Sequence, residues 1–437
     1  MEERERGTRG AIPPEERARA AARDAADPLA RFRGRFRIPE GTIYMDGNSL
    51  GLASLDAEVS LERALDSWRR LAIRGWLEAE PAWFDYGERI GAKMAPLVGA
   101  KPTEVLMSGS TTVNLHALVS TFYRPEGRRR RILADELNFP SDLYALAGQI
   151  RLQGQDPETD LILAESPDGR TLDEGVLLER MDDTVALALL PSVLYRSGQL
   201  LDMERLARGA RERGVILGFD CAHSAGSVPH EFDRWGVDFA LWCGYKHLNG
   251  GPGAPAFLYV NERHFDREPG LPGWFGHARE RQFDMALRFD HDRSARGWQI
   301  GTPFILSAAA LDGALDLFAE AGIGAVREKS LALTEALIEG VDRYLSGPAR
   351  GFVVGTPRER GRRGGHVALE HPEAWRICCA LKARGIVPDF RPDRVIRIAP
   401  VALYNTFEEV RLVLEALGEI LEGREYERFP RVRDAVS

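Results

Sequence analysis

Two short apolar runs, residues 215–219 and 239–243, each stop just short of a charged group, the first at Asp220 and the second before Tyr245 and Lys246. Unbroken apolar runs of this length mark strands buried on both faces, as in a parallel sheet covered by helices. In open α/β sheets ligands sit beyond the carboxyl ends of the strands, so a carboxylate and an amine are expected at one rim.

An amine and an acid so placed suit pyridoxal 5'-phosphate. That cofactor needs a lysine for its Schiff base and a carboxylate to keep its ring nitrogen protonated, so that the ring can accept electrons. The run Gly250-Gly251-Pro252-Gly253 behind Lys246 lets backbone pass close to a bulky ligand. Taken singly, an aspartate at a strand end is more often a turn residue or cap, and a loop lysine is usually solvated. Their closing of successive strands, with a glycine-rich turn behind the second, is the specific signal.

The segments Asp220-Cys-Ala-His223 and Trp242-Cys-Gly-Tyr245-Lys246-His-Leu-Asn249 resemble the cofactor segments of kynureninases, in the class V aminotransferase group. The resemblance implies the fold of that group: α/β, PLP-dependent transferase fold type I. It has a mostly parallel seven-stranded sheet in a large domain and a smaller α+β C-terminal domain. It also implies that Lys246 carries the cofactor, that Asp220 pairs with the pyridinium nitrogen and that His223 lies beside the ring. Tyr245 would touch the phosphate and relay protons.

Further segments carry the same resemblance. Glu104 to Ser108 reads as a strand, followed by Gly109-Ser110-Thr111-Thr112 and an apolar helix. A strand, a small polar turn and a helix start make an anion site, although an N-cap alone is the commoner role of such residues. In the family the element matching Ser110, Thr111 and Thr112 grips the cofactor phosphate. The Asn138-Phe139-Pro140-Ser141-Asp142 segment reads locally as a turn; in the family Phe139 would stack on the ring, with Ser141 and Asp142 bonded around it. Arg196, after the apolar strand ending at Pro191, is a surface residue or lies near substrate as in bacterial relatives.

Two segments imply substrate contacts and two imply a second subunit. Asp46-Gly-Asn48-Ser49 is a plain turn on local chemistry, yet it resembles the family signature at the substrate entrance, with Ser49 facing the ligand. Arg397 alternates with apolar neighbours on a strand, so it pairs with an internal acid or awaits a ligand. In the family the matching arginine clamps the substrate α-carboxylate, a planar bidentate task. Gly273-Trp274-Phe275-Gly276-His277 and Gln299-Ile-Gly301-Thr302-Pro303 match segments whose tryptophan and threonine reach the phosphate of the neighbouring subunit, so Trp274 and Thr302 imply a homodimer with shared active sites.

Between these segments the periodicity predicts a helix over residues 56–72 with Val59, Ala64, Leu65, Trp68 and Leu71 on one apolar face, broken at Gly75-Trp76-Leu77. The aromatics from Trp76 to Tyr86 fit an ordinary core; in the family this region shapes the aryl end of the pocket. Vertebrate members carry a histidine where Trp76 stands, which leaves the accepted ring substituents open. One long helical region is expected over 308–345. The boundaries expected are 1–50 for a tail and a segment packing on the small domain, 51–306 for the cofactor domain and 307–437 for the C-terminal domain. Residues 1 to about 35 read as a frayed tail and one solvated helix.

Composition sets the remaining limits. A chain of 437 residues, 44% hydrophobic, can bury a large core, and its net charge of -8 offers no general attraction to nucleic acid. The four cysteines, Cys221, Cys243, Cys378 and Cys379, have no metal-ligand spacing and suit a reducing, cytoplasmic setting; no metal site is expected. No apolar run is long enough to span a bilayer.

The activity implied is hydrolytic Cβ–Cγ cleavage of L-kynurenine or 3-hydroxykynurenine to an anthranilate and L-alanine. The alternatives are a class V enzyme acting on another aryl or acyl amino acid, a cysteine desulfurase or selenocysteine lyase, and an inactive scaffold relative. A desulfurase needs a persulfide-carrying cysteine on a mobile loop, whereas Cys378 and Cys379 fall within an amphipathic helix.

Overall fold

The computed structural model describes residues 13–348 and 350–432; the expected frayed tail, residues 1–12, lies outside the described residues. In chain order the strands are β1 (Ile43–Tyr44), β2 (Val105–Met107), β3 (Arg131–Asp135), β4 (Leu161–Ala164), β5 (Val185–Pro191), β6 (Ile216–Asp220), β7 (Phe239–Cys243) and β8 (Ala256–Val260). They continue with β9 (Val353–Val354), β10 (Val367–Glu370), β11 (Ile386–Val387), β12 (Asp389–Arg391) and β13 (Val395–Ile398).

Seven strands form one sheet in the order β2-β8-β7-β6-β5-β3-β4. Only β8 runs against its neighbours, pairing antiparallel with both β2 and β7; the other pairs are parallel. The carboxyl ends of β2, β3, β5, β6 and β7 therefore open on one edge. Successive side chains point to opposite faces: Phe239 and Leu241 of β7 join one buried cluster, Ala240 and Trp242 the other. Helices cover both faces, which is why these strands read as continuous apolar runs. Gly218 of β6 is required by packing, since a Cβ there would stand 2.1 Å from the Phe239 ring.

A second sheet, antiparallel, has the order β12-β13-β10-β9. Its apolar side packs with Leu333, Leu337, Ile377, Leu381, Val413 and Leu417 from the helices Ile323–Gly340, Ala374–Ala383 and Phe407–Glu422. Near the amino terminus, β1 pairs in parallel with β11, Ile43 opposite Ile386, so the entry segment is tied to this smaller sheet.

Three local expectations are corrected. In the helix Leu55–Leu71 the buried residues are Ala57, Ser60, Ala64 and Ser67, whereas Val59 and Trp68 are 68% and 55% exposed. Small side chains permit close approach to the helix Ile305–Ala321, where a Cβ on Gly313 would lie 2.2 Å from the Asp56 carbonyl oxygen. The helix ends at Ala72, which adopts φ 48°, and residues 75–78 form another helical turn, so the break precedes Gly75. The long helical region divides at Gly322 (φ 77°) into Ile305–Ala321 and Ile323–Gly340.

The helix Pro14–Ala25 is also docked as well as solvated. Asp24 accepts hydrogen bonds from the free amides of Phe407 and Glu408 at 2.7 and 3.0 Å, capping the helix Phe407–Glu422 from outside.

Candidate active site

Five chain segments deliver side chains to the edge where the parallel strands end. β6 ends on Asp220, with His223 in the turn beyond; Tyr245 and Lys246 follow β7; Asn138 to Asp142 follow β3. The helix Thr111–Phe122 begins four residues after β2, and Tyr195 follows β5. Together they line a cleft of ≈ 580 Å³. Of the residues singled out by sequence, Thr111, Thr112, Phe139, Ser141, Asp142, Asp220, His223, Tyr245 and Lys246 all face this cleft.

The phosphate-sized corner lies at a helix amino terminus. Ser110 is the N-cap, its hydroxyl accepting from the Val113 amide at 3.5 Å, and Thr112 Oγ1 is 2.7 Å from Ser141 Oγ. Unpaired amides and the helix dipole favour an anion at this point. Gly109 adopts φ 54° to make the turn, and a Cβ there would meet Asn114 Oδ1 at 2.6 Å.

The opposite end is acidic. Asp142 and Asp220 are buried close enough that each carboxyl alters the other. Burial and the charge of Asp220 push Asp142 well above the usual carboxylate range. Burial also raises Asp220, while Lys246 and the Ala222 amide hold it down. Both are raised, Asp142 the further, while the neighbouring Lys246 favours the charged form of each. Asp135, at the end of β3, is buried with both carboxylate oxygens unpaired, and burial pushes it up to about 7.

Between these ends lie the amine and two rings. Lys246 Nζ is 3.1 Å from His223 Nε2. Burial, reinforced by Lys246 and Arg397, drives the His223 pKa far down, so its ring is neutral. Tyr245 is raised, chiefly by burial, and stays a phenol. Phe139 is 46% exposed and meets Tyr195 edge-on at 5.3 Å. His223 Nδ1, Asp142 Oδ2 and Asn138 Nδ2 are buried without a hydrogen-bond partner. A flat slot with an amine, an anion corner, an acid end and unpaired polar atoms along its wall fits pyridoxal 5'-phosphate. A closed apolar core would leave no such atoms unsatisfied.

Arg397 and Ser49 meet beside the cleft. Arg397 on β13 donates to Asp389 of β12, to the Tyr195 carbonyl oxygen at 2.7 Å and to Ser49 Oγ at 3.1 Å. Both options open at the sequence level are therefore in view, since the arginine has an internal acid and also touches the cleft wall through Tyr195. Asp389 carried no sequence signal, being one strand residue among others. Tyr195, Val193 and Ala222 line the cleft as ordinary strand-end residues; Arg196 does not line it.

Trp274 and Thr302 are not brought to Lys246. They line a separate apolar pocket of ≈ 1090 Å³ with Trp76, Phe84, Phe275 and Phe283. Trp274 is 45% exposed and donates its indole N–H to the Gln282 carbonyl at 3.0 Å.

With this geometry in hand, residues 326–417 match the family model described as kynureninase C-terminal domain, and residues 65–359 match aminotransferase class-V. The kynureninase of Geobacillus thermodenitrificans is 52% identical over 414 residues, 95% of this chain and 96% of that protein. Those of Bacillus anthracis and Shouchella clausii are each 53% identical over the same shares. Among solved structures, the apo cysteine desulfurase of Thermococcus onnurineus superposes with a TM-score of 0.77 at 21% identity, covering 90% of this chain and 98% of that one. A C-DES variant with glycine covalently linked to its PLP cofactor gives 0.75 at 17%, over 89% and 99%. At these identities the two structures speak for the fold.

Proposed function

The chain belongs to the kynureninase family, and from that premise we propose that it binds pyridoxal 5'-phosphate in the Lys246 cleft and hydrolyses the Cβ–Cγ bond of L-kynurenine or 3-hydroxykynurenine. The products are anthranilate or its hydroxy form and L-alanine. The observation that carries the reading is the convergence of Lys246, Asp220 and the Thr111–Thr112 helix start on one cleft, in a chain 52% identical to a kynureninase over 95% of its length.

The bound cofactor supplies an electron sink for the pair left at the substrate's α-carbon when its proton departs. Lys246 would anchor the cofactor and, as a free amine beside the bound substrate, would take the α-proton. Asp220, with Asp142 buried beside it, would hold the ring nitrogen in its protonated form. The amides and hydroxyls of Thr111 and Thr112, with Ser141, hold the phosphate, and Phe139 and His223 flank the ring. A neutral His223 adds no positive charge beside the amine. Arg397 and Ser49 orient the α-carboxylate. Water adds at the γ-carbonyl and the Cβ–Cγ bond breaks, Cγ leaving as the carboxyl carbon of the anthranilate; the Tyr245 phenol would protonate Cβ, and Lys246 would return a proton to Cα to complete L-alanine.

Trp274 and Thr302 complete the phosphate site of a second copy in a homodimer. Exposed apolar residues around their pocket, Ile73, Leu77 and Phe283 at 76%, 79% and 67%, support such a contact. Light scattering is expected to give twice the monomer mass, and Trp274→Ala to weaken cofactor retention; a monomer with unchanged retention contradicts this. No helix among the described residues is long and apolar enough to cross a membrane, and the four cysteines are free; we place the enzyme in the cytoplasm.

The test is incubation of the cofactor-loaded protein with L-kynurenine, 3-hydroxykynurenine and cysteine, with products identified by mass spectrometry. Anthranilate or its hydroxy form, with alanine, is expected, and Lys246→Ala is expected to abolish both. Sulfide from cysteine without an anthranilate product would overturn the reading in favour of a desulfurase. Against that rival, Cys378 is completely buried in the helix Ala374–Ala383.

A further inference from the structure

The guanidinium of Arg397 is wholly buried and nearly all its donors are engaged. Asp389 is its register partner across the β12–β13 ladder. Asp389 Oδ2 accepts from Arg397 Nε at 2.6 Å and lies 2.5 Å from Nη2. The remaining bonds leave from the other side, Nη1 to the Tyr195 carbonyl oxygen and Nη2 to the Ser49 hydroxyl.

A guanidinium offers a carboxylate two edges with paired N–H groups, the side edge of Nε and Nη2 and the end edge of Nη1 and Nη2. Asp389 occupies the side edge. The end-edge nitrogens donate to two neutral acceptors, the Ser49 hydroxyl and the Tyr195 carbonyl oxygen, and Tyr195 lines the cleft of Lys246. Asp389 is itself held, since Arg391 Nε lies 3.2 Å from the same oxygen, and its side chain is 7% exposed. Two paired strands carry the acid and the arginine, so their backbones are fixed opposite each other.

We propose that Asp389 is a positioning residue that holds Arg397 by its side edge, so that the end edge, whose bonds to the neutral Ser49 and Tyr195 oxygens are the ones a carboxylate can displace, is the edge that receives the substrate's α-carboxylate. This rests on the kynureninase reading insofar as it takes an amino-acid carboxylate as the ligand of Arg397. The acid acts through the arginine and touches no substrate atom. The role needs an acceptor oxygen at the side edge rather than a charge. Asparagine therefore substitutes for the aspartate and alanine does not.

The test is the ratio of affinities of the cofactor-loaded enzyme for L-alanine and L-alaninamide, read from the cofactor absorbance on titration. The two ligands differ in the carboxylate alone. The unaltered enzyme is expected to prefer alanine. Asp389→Ala should lower that preference by at least about tenfold, and Asp389→Asn should keep it within about threefold. If Asp389→Ala does not fold, Asp389→Ser, whose hydroxyl is too short to reach the side edge, takes its place with the same criterion.

An unchanged ratio in the alanine or serine variant, with both ligands weakened together, marks a merely structural residue and overturns the proposal. So does a collapse in the asparagine variant, or no preference for alanine in the unaltered enzyme. Failure to cleave kynurenine, with the ratios moving as expected, sinks the catalytic reading and leaves the assignment of Asp389 standing.

Discussion

Asp135 shows what burial does to a single side chain at this site. It is completely buried, and neither oxygen has a partner. Its folded pKa is about 7 against an unfolded value near 3.8, so between about pH 4 and 7 the folded state holds a proton that the unfolded state has lost. Stability from this group is fully present below the lower value and falls as pH rises toward the upper one, by at most about 4 kcal/mol. Asp135→Asn removes that slope. Melting temperatures are expected to shift in favour of the variant on going from pH 5 to pH 8, and a pH-independent difference contradicts this. Residues of this kind also mark how far the sequence can be read. Asp220 and Lys246 stand out because they interrupt apolar runs in succession. Asp135 ends a strand in the same way but has no second signal beside it, and Asp389 becomes visible only when strand register sets it opposite Arg397.

At the scale of the element, the helix Leu55–Leu71 shows why periodicity found the helix and misjudged its face. A stripe of Val59, Ala64, Leu65, Trp68 and Leu71 has helical spacing, but hydrophobicity was not what selected the buried side. Close contact with the helix Ile305–Ala321 demands small residues, and Ala57, Ser60, Ala64 and Ser67 supply them. Enlarging that face should therefore cost more than altering the other. Ala64→Leu is expected to destabilise by about 1–3 kcal/mol through overpacking, measured by denaturant unfolding. Ala64→Leu without measurable cost would contradict the small-residue contact. The strands were easier to read, since burial on both faces leaves an unbroken apolar run whatever the partner.

Across the whole molecule, the site depends on ties that no local pattern reveals. Arg170 makes a two-point contact with Glu370, at 2.7 and 2.9 Å, joining the segment after β4 to β10. Arg362 pairs with Glu174, and Lys329 with Asp27 at 2.6 Å in a pair buried on both sides. Each joins segments more than 180 residues apart, and together with the β1–β11 pairing they set Ser49 and Arg397 beside a cleft built from the other sheet. The motif resemblance singled out candidate residues for the site; it carried no information about these contacts. Everything in the functional account depends on Lys246 and Asp220 holding one cofactor ring between them. Borohydride reduction of the cofactor-loaded protein, followed by peptide mass spectrometry, tests this most directly. The account predicts a single pyridoxyl phosphate adduct on Lys246 that is lost or greatly diminished in Asp220→Ala. An adduct on another lysine, or one on Lys246 whose yield is indifferent to Asp220, would contradict it.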